Sequence, residues 1–275
     1  MALKLMYITN NPQVAGIASD CGVDRIFVDM EYIGKEDRQR GLNTVKSFHT
    51  VKDVEKIKNV LTNGGEVLAR INPIIDLEFS KKEINDTISA GADIIMLPMV
   101  KTVDQVKAFV DMVGTRAKAM LLIETAEANE GIDGILDVGG IDEFHVGLND
   151  LHLAYNKKFM FEVLTDGTVE RLCERFAKRQ VPYGFGGIAR LGHGILPAEK
   201  VIAEHYRLGS TMAILSRSFC NLSEVNDMNR VHEIFHYEMK RIREYENLMQ
   251  RSSAEFFEDN KNQVKQLVEK IAQSI

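Results

Sequence analysis

Residues 94–105 read IIMLPMVKTVDQ. A short apolar run is followed almost at once by Thr102-x-x-Gln105, which is the pattern of a capping box at the start of a helix. A buried strand joined by a short turn to a capped helix is the repeating unit of parallel α/β folds. This stretch therefore predicts a fold in which strands and helices alternate along the chain.

Apolar runs of the same kind occur eight times. They are KLMYIT (4–9), RIFVDME (25–31), EVLARIN (66–72), IIMLPMV (94–100), AMLLIET (119–125), EFHVGL (143–148), PYGFGGI (182–188) and STMAILS (210–216). Continuous apolar runs are typical of parallel strands that are covered on both faces. Thr50-x-x-Asp53 and Ser80-x-x-Glu83 predict further helix starts between the runs. We therefore predict a single (β/α)8 TIM-type barrel, and a doubly wound open sheet is the alternative that periodicity leaves open.

A C-terminal segment extends beyond the eighth run. We predict the barrel over residues 1–222 and additional helices over residues 223–275. Apolar side chains recur there at three- and four-residue steps, as on one face of a helix; they are Met228, Val231, Phe235, Ile242, Tyr245 and Met249. Ser252-x-x-Glu255 predicts the start of a second helix. This apolar stripe either packs on the chain's own barrel or forms a subunit interface.

Composition argues against several classes of partner. The 275 residues suit one α/β barrel, and a net charge of −6 without a run of like charges predicts no nucleic-acid or acidic-membrane partner. The N-terminal MALKLMYITNN has no apolar stretch long enough for a signal peptide, and the sequence contains no apolar run of 18 residues, so we expect neither a signal peptide nor a membrane span. The three cysteines are far apart and lack metal or disulfide spacing, so we expect a cytoplasmic protein.

Charged and polar residues collect where the predicted strands end, which is where catalytic groups lie in such barrels. Glu124 and Asp150 end neighbouring strands, and their carboxylates could share a hard divalent cation such as Mg²⁺ or Mn²⁺. Arg70 ends the third strand and could hold a developing oxyanion with its fixed guanidinium fork. A single acid at a strand end is more often a helix cap or a surface ion pair. Spacing by itself therefore indicates only a barrel with a candidate metal site.

Five stretches in sequence order carry a family resemblance. They are FVDMEYIGKEDR (27–38), ARIN (69–72), GADIIMLPMVKTVDQV (91–106), LLIETAEA (121–128) and GIDGILDVGGIDEFHVGLNDL (131–151). Together they resemble the HpcH/HpaI aldolase and citrate lyase β-subunit family, in an order that runs from about residue 10 to residue 220. The resemblance implies a barrel of the phosphoenolpyruvate mutase-like kind. It also implies a metal-dependent lyase that makes or breaks a carbon–carbon bond next to an enolate, which is pyruvate's in the aldolase branch.

By position, the resemblance implies that Glu124 and Asp150 are the metal ligands and that Arg70 steadies the enolate oxygen. It also implies a small 2-oxoacid and an aldehyde as substrates. Relatives are commonly hexamers that exchange C-terminal helices, so a homo-oligomer is expected. We further predict Pro98, Leu148 and Asn149, which lie at the same strand ends, as substrate-binding residues.

Two positions depart from the aldolase pattern. That branch usually has a histidine acid/base after D-x-E on the second strand, where this chain has Asp29-Met30-Glu31-Tyr32. It often has a glutamine two residues before the metal-binding glutamate, where this chain has Leu122. We predict Tyr32 and Glu31 as catalytic candidates in place of the histidine, with His49 as a less favoured substitute.

These departures leave two other functions open. One is an acyl-CoA lyase of the malyl-CoA or citryl-CoA type, because those branches of the family use the same arginine, glutamate and aspartate. The other is a barrel that binds a ligand without turnover. The glycine-rich stretch GFGGIARLGHG (184–194) could bind phosphate through backbone N–H groups, but we favour a turn that needs the positive φ of glycine.

Overall fold

The structure is a computed structural model that describes residues 2–34, 49–225 and 227–275. Residues 35–38 of the family-like stretch fall outside the described part. Eight parallel strands in that part close into a barrel in which the last strand pairs with the first. The strands are β1 (Lys4–Ile8), β2 (Arg25–Asp29), β3 (Glu66–Arg70), β4 (Ile94–Leu97), β5 (Lys118–Ile123), β6 (Glu143–Val146), β7 (Tyr183–Ile188) and β8 (Met212–Leu215). The predicted TIM-type barrel is confirmed, and the open sheet is wrong.

Helices alternate with the strands and cover the outside of the barrel. The described helices are α1 (Pro12–Asp20), α2 (Val51–Lys58), α3 (Leu77–Ser89), α4 (Val103–Val113), α5 (Ala126–Glu130), α6 (Ile132–Leu136), α7 (Leu148–Ala154), α8 (Glu162–Thr165), α9 (Thr168–Lys178), α10 (Ala198–Arg207), α11 (Met228–Met249) and α12 (Ala254–Ser274). A short 3₁₀ helix, Arg217–Phe219, follows β8. None of the described helices is both long and apolar enough to cross a membrane.

The predicted helix starts are right in two places and shifted in two others. Thr50 and Thr102 are the N-caps of α2 and α4, each in a capping box. Ser80 is not a cap, because α3 begins one turn earlier, where the Asp76 side chain accepts the Phe79 N–H at 2.7 Å. Aspartate caps a helix as well as serine does, so the earlier residue sets the boundary. The N-cap of α12 is Ser253 and not Ser252.

The interior of the barrel has a charged layer below an apolar one. Near the amino ends of the strands, the fully buried Arg25 donates to Glu143 at 2.6 and 2.7 Å and to Glu66 at 2.8 Å. Above it lies a buried apolar cluster made of Met6, Phe27, Leu68, Ile94, Met96, Met120, Leu122 and Met212. A buried arginine is tolerated here because two carboxylates pair with it. The two layers fill the lower barrel and leave space toward the carboxyl ends of the strands.

The glycine-rich stretch is divided between β7, which contains residues 184–188, and the segment after it, residues 189–194. A Cβ at Gly184 would lie 2.3 Å from the Met212 carbonyl oxygen of β8, so β7 can approach its neighbour only without a side chain there. Gly186 has φ +53° and lies where the pairing register between β7 and β8 shifts. Packing of the barrel wall accounts for Gly184 and Gly186. The turn prediction is wrong for residues 184–188, although a positive φ is needed at Gly186, and it is right for Gly192 and Gly194, which lie in turns with φ +81° and +97°.

The apolar stripe of α11 packs on the chain's own barrel. Phe235 is fully buried and meets the Tyr7 ring edge-on at 4.9 Å between centroids. Glu246 accepts the N–H of Leu3 at 2.6 Å, which ties the same helix to the start of β1. Helix α11 contacts α1 and α10, the place that the eighth outer helix of a barrel occupies, and α12 packs against α8 and α10. Whether the outer surface of these helices also forms a subunit interface stays a prediction.

Candidate active site

A cavity of about 600 Å³, including space open to solvent, lies at the carboxyl ends of the strands. Its wall brings together Arg70 at the end of β3, Glu124 directly after β5, and Leu148, Asn149 and Asp150 at the start of α7. These residues come from three separate parts of the sequence and meet because parallel strands end at one face of the barrel. The cavity is therefore the natural place for the predicted chemistry.

Glu124 is almost completely buried, with 2% of its surface exposed. The apolar β5 carries it into the cavity, and its Oε1 accepts the backbone N–H of Met99 at 3.0 Å. Burial and the nearby charge of Asp150 raise the pKa of Glu124, Arg70 partly opposes them, and the net result is a pKa of about 8. The carboxylate is costly to ionise in the protein as it stands, so a cation at this position would be favourable.

Asp150 lies in the first turn of α7, which follows β6 directly. Leu148 and Leu151 are buried, so the helix packs through its apolar side and leaves Asp150 at the cavity wall. Because the charge of Asp150 raises the pKa of Glu124, the two carboxylates are close enough to interact strongly. Two mutually repelling carboxylates in one cavity suit a hard divalent cation with oxygen ligands. No group of three or more histidine, cysteine, aspartate or glutamate side chains suited to a metal occurs among the described residues, so water or substrate would complete the shell.

Arg70 is fixed by acidic partners. Its Nε and Nη2 donate to the two oxygens of Asp29 at 2.8 and 2.9 Å, and its Nη1 lies 3.4 Å from Glu31 Oε2. Burial lowers the pKa of Arg70, but Asp29 and Glu31 outweigh that effect and the net shift is upward. The guanidinium also lies over the ring of Phe27, at 5.6 Å from its centroid. The fork therefore remains charged and is held in one orientation at the cavity wall.

Tyr32 does not line this cavity. It is 57% exposed and, with His49, lines a separate pocket. His49 Nδ1 accepts the backbone N–H of Asp29 at 2.9 Å, so that nitrogen supports the end of β2. Glu31 is buried and lies against Arg70. Of the acid/base candidates Tyr32, Glu31 and His49, Glu31 is the one next to the residues that line the cavity.

Asn72 shapes the loop that carries Glu31 and Tyr32. Its Oδ1 accepts the backbone N–H groups of Tyr32 and Ile33, both at 3.0 Å, and its Nδ2 donates to Glu83 at 2.7 Å. Because Asn72 is buried and bonded on both sides, it fixes the path of the chain after β2. Pro98, a predicted substrate-binding residue, is buried in the turn before Met99 and is not among the residues lining the cavity.

The sequence reasoning missed the floor of the cavity. Strand residues below Arg70 and Glu124 line it with apolar side chains; they are Phe27, Met96, Leu122 and Ile214. His145 of β6 also lines it, and its Nε2 lies 3.2 Å from the Gly186 carbonyl oxygen. Burial lowers the pKa of His145 to about 4, so the imidazole is neutral near pH 7. Glu143 and His145 are two residues apart in β6, and side chains with this spacing point to the same face of a strand. The spacing was therefore a sequence signal that both side chains point into the barrel.

Comparison with known proteins gives the family of the chain and relatives of its fold. The model of the HpcH/HpaI aldolase/citrate lyase family matches residues 4–158. An HpcH/HpaI aldolase from Desulfitobacterium hafniense DCB-2 has 19% identity and a TM-score of 0.63, covering 78% of this chain and 86% of its own. A family protein from Burkholderia cenocepacia J2315 has 13% identity and a TM-score of 0.63, covering 84% and 95%. A citrate lyase from Burkholderia xenovorans LB400 has 12% identity and a TM-score of 0.59, covering 86% and 77%.

Sequence comparison with curated proteins finds no significant match. At these identities the solved structures establish a shared fold only, whereas the family match rests on the sequence and spans more than half of the chain. The matched range contains β1 to β6 and the start of α7, and so includes Arg70, Glu124 and Asp150. The chain belongs to the HpcH/HpaI aldolase/citrate lyase family, a family of lyases.

Proposed function

We propose that the protein is a divalent-metal-dependent carbon–carbon lyase that cleaves or forms a bond next to the pyruvate-like enolate of a small 2-oxoacid. The observation that carries the proposal is the convergence of Arg70, Glu124 and Asp150 on one cavity at the carboxyl ends of the strands. This set combines two carboxylates with a fixed cation. It is the set that the family resemblance implies for enolate chemistry.

Glu124 and Asp150 would hold the cation through carboxylate oxygens, and Mg²⁺ and Mn²⁺ are the ions that such ligands suit. When bound, a divalent cation supplies a Lewis acid that favours the negative charge of an enolate. Arg70 adds a second positive charge at the cavity wall, oriented by Asp29 before any substrate arrives. A donor that is already oriented stabilises developing charge without reorganising during the reaction.

In the cleavage direction, a base accepts the proton of the hydroxyl group on C4 of a 4-hydroxy-2-oxoacid. The C3–C4 bond breaks, C4 leaves as an aldehyde, and the electron pair of the broken bond becomes the enolate of the 2-oxoacid. Protonation of that enolate at C3 gives pyruvate or its homologue. The reverse sequence adds the enolate to an aldehyde.

Glu31 is the residue we propose as the proton acceptor. Its carboxylate is buried and lies 3.4 Å from Arg70 Nη1, on the side of the guanidinium that faces the end of β2. Tyr32 follows it in the chain, but most of its side chain is exposed to solvent in the neighbouring pocket. A base must come within hydrogen-bond reach of the proton it removes, which favours Glu31 over Tyr32.

Solvent exchange of the pyruvate methyl protons tests the enolate directly. In D₂O with Mn²⁺ or Mg²⁺, the wild-type protein should exchange these protons, as followed by NMR, and omitting the metal should stop the exchange. Arg70→Lys keeps the charge but loses the two-pronged fork, so we expect a loss of 10- to 1000-fold. Lys107→Met removes an exposed cation on α4 that does not line the cavity, and it serves as the control.

Binding of the metal is tested without turnover. Glu124→Gln and Asp150→Asn each remove a charged ligand of similar size, so calorimetric titration with Mn²⁺ should show affinity reduced at least about tenfold. Asp104→Asn is the matched control, because Asp104 is an exposed acid on α4 that pairs with Lys107 and does not line the cavity. Unchanged Mn²⁺ affinity in both ligand variants would refute the metal assignment.

The two other functions give different results in the same experiments. An acyl-CoA lyase should consume malyl-CoA or citryl-CoA while showing no release of pyruvate from 4-hydroxy-2-oxoacids. A binding protein without turnover should bind pyruvate and Mn²⁺ yet leave the methyl protons unexchanged. Tyr32 stands where the aldolase branch has its acid/base histidine, and its exposure is the observation that favours a binding protein without turnover.

A further inference from the structure

Met99 has a backbone conformation that is unusual for its place in the fold. Three described residues other than glycine have a positive φ: Met99 at 53°, Asn156 at 53° and Gln180 at 55°. Asn156 and Gln180 each come two residues after a helix ends, where the left-handed conformation is a common way to stop a helix. Met99 instead follows the strand β4, and a residue with a long side chain pays a steric cost there.

The unusual conformation coincides with a contact to the candidate metal site. The N–H of Met99 donates to Oε1 of Glu124 at 3.0 Å. One residue further on, the hydroxyl group of Thr125 donates to the carbonyl oxygen of Val100. Two adjacent residues after β4 are therefore bonded to two adjacent residues after β5. These two hydrogen bonds together fix the turn that carries Met99.

The other carboxylate oxygen of Glu124 faces a glycine. A Cβ added to Gly147 would lie 2.8 Å from Glu124 Oε2 and 2.8 Å from its Cβ. The end of β6 therefore approaches the carboxylate so closely that a side chain at position 147 would push into it. The backbone N–H of Met99 donates to Oε1, and the absence of a side chain at Gly147 leaves space for Oε2.

We infer that Met99 is a positioning residue whose left-handed backbone holds Glu124 in the orientation that presents Oε2 to a divalent cation. The inference rests on the proposed function, because that function identifies the ligand as a divalent cation. It assigns the role to the backbone of residue 99 and not to its side chain, although Met99 also lines a groove that it shares with Glu124 and Asp150. A residue that cannot adopt a positive φ at this position should misplace the carboxylate.

The test is a series of substitutions at position 99 with calorimetric titration of Mn²⁺ into the full-length protein. Met99→Gly and Met99→Asn both tolerate the left-handed conformation, so Mn²⁺ affinity should stay within about threefold of wild type. Met99→Val keeps an apolar side chain but is β-branched, so affinity should fall about 10- to 100-fold, as for other groups that orient a metal ligand. If the side chain were responsible, Gly and Asn would lose affinity and Val would largely keep it.

If Met99→Val does not fold, Met99→Ala decides the case, because alanine also lacks the long side chain but disfavours the positive φ that glycine tolerates, so its Mn²⁺ affinity should fall below that of Met99→Gly. Gly147→Ala tests the close approach of β6 to the carboxylate. It should weaken Mn²⁺ binding by at least about tenfold, whereas Gly16→Ala should have no effect because nothing lies within 4 Å of that position. Wild-type affinity in Met99→Val or in Gly147→Ala, or an equal loss in Met99→Gly and Met99→Val, overturns the inference. A wild-type protein that binds no Mn²⁺ would instead overturn the proposed function.

Discussion

At the scale of single residues, the protonation of Glu124 links metal binding to pH. Its pKa is raised to about 8, chiefly by burial and by Asp150, so below pH 8 the carboxyl group holds a proton that a cation must displace. Metal affinity should therefore rise about tenfold per pH unit up to pH 8 and level off above it. Calorimetry of Mn²⁺ binding at pH 6.5 should show release of about one proton in buffers of different ionisation enthalpy, and at pH 9 almost none.

The raised pKa of Glu124 also determines how the stability of the metal-free protein changes with pH. Because the folded protein holds this proton more tightly than the unfolded chain, whose glutamate has an ordinary pKa, Glu124 makes the metal-free protein less stable as pH rises from about 4.5 to about 8. The increase in Tm on adding Mn²⁺ should grow over the same range. A metal-induced increase in Tm that is independent of pH would show that Glu124 is already ionised or is not a ligand.

The predicted acid/base residues can be separated by paired substitutions. Tyr32→Phe should change pyruvate release from 4-hydroxy-2-oxoacids by less than about threefold, because the side chain is 57% exposed in another pocket. Glu31→Gln should reduce it about 100- to 10 000-fold, the usual cost of losing a general base. Rates are compared across pH 6 to 9 for each variant. A large loss in Tyr32→Phe with little change in Glu31→Gln would reverse the assignment.

At the scale of elements, helix α11 gives a test of how the C-terminal segment is held. Phe235 is fully buried and packs against Tyr7 and Phe219, so Phe235→Ala should lower the free energy of unfolding by about 3–5 kcal/mol. Tyr237 lies on the same helix but is 61% exposed, with Arg241 over its ring, so Tyr237→Ala should cost at most about 1 kcal/mol. Urea unfolding of both variants measures the difference, and equal costs would mean that α11 does not pack on the barrel in solution.

At the scale of the whole molecule, the C-terminal helices provide a test of whether the protein forms a homo-oligomer. The inner faces of α11 and α12 are used by the chain's own barrel, but Leu248 is 58% exposed and Phe256 38% exposed. If these helices also form a subunit interface, the double change Leu248→Asp and Phe256→Asp should reduce the mass measured by light scattering while far-UV circular dichroism stays the same. The exposed Lys240 and Glu244 on α11 provide a control pair for Ala substitution.

Deleting residues 224–275 is a different experiment. Because α11 occupies the place of the eighth outer helix, its removal would expose the barrel surface around Tyr7 and should cause aggregation whatever the assembly state. A truncated chain that stays soluble with unchanged mass would contradict both the packing of α11 and the predicted interface.

The local sequence by itself determined the order and number of the strands in the described part. Each of the eight apolar runs contains most or all of a strand, because a parallel strand buried on both faces needs a continuous apolar run, and Thr50 and Thr102 cap helices because capping is a local interaction. Family-like stretches pointed to Arg70, Glu124 and Asp150, which the structure places on one cavity. Capping failed as a guide at Ser80, where Asp76 competes one turn earlier.

Only the tertiary structure decided what surrounds those residues. The pairing of Arg70 with Asp29, the donation from Met99 to Glu124 and the close approach of Gly147 each join segments distant in sequence, and their geometry depends on the closed barrel. The separation of Tyr32 from the cavity depends on Asn72, which holds the loop after β2. Burial likewise sets the protonation of Glu124 and His145, because the cost of a charge depends on its surroundings and not on its neighbours along the chain.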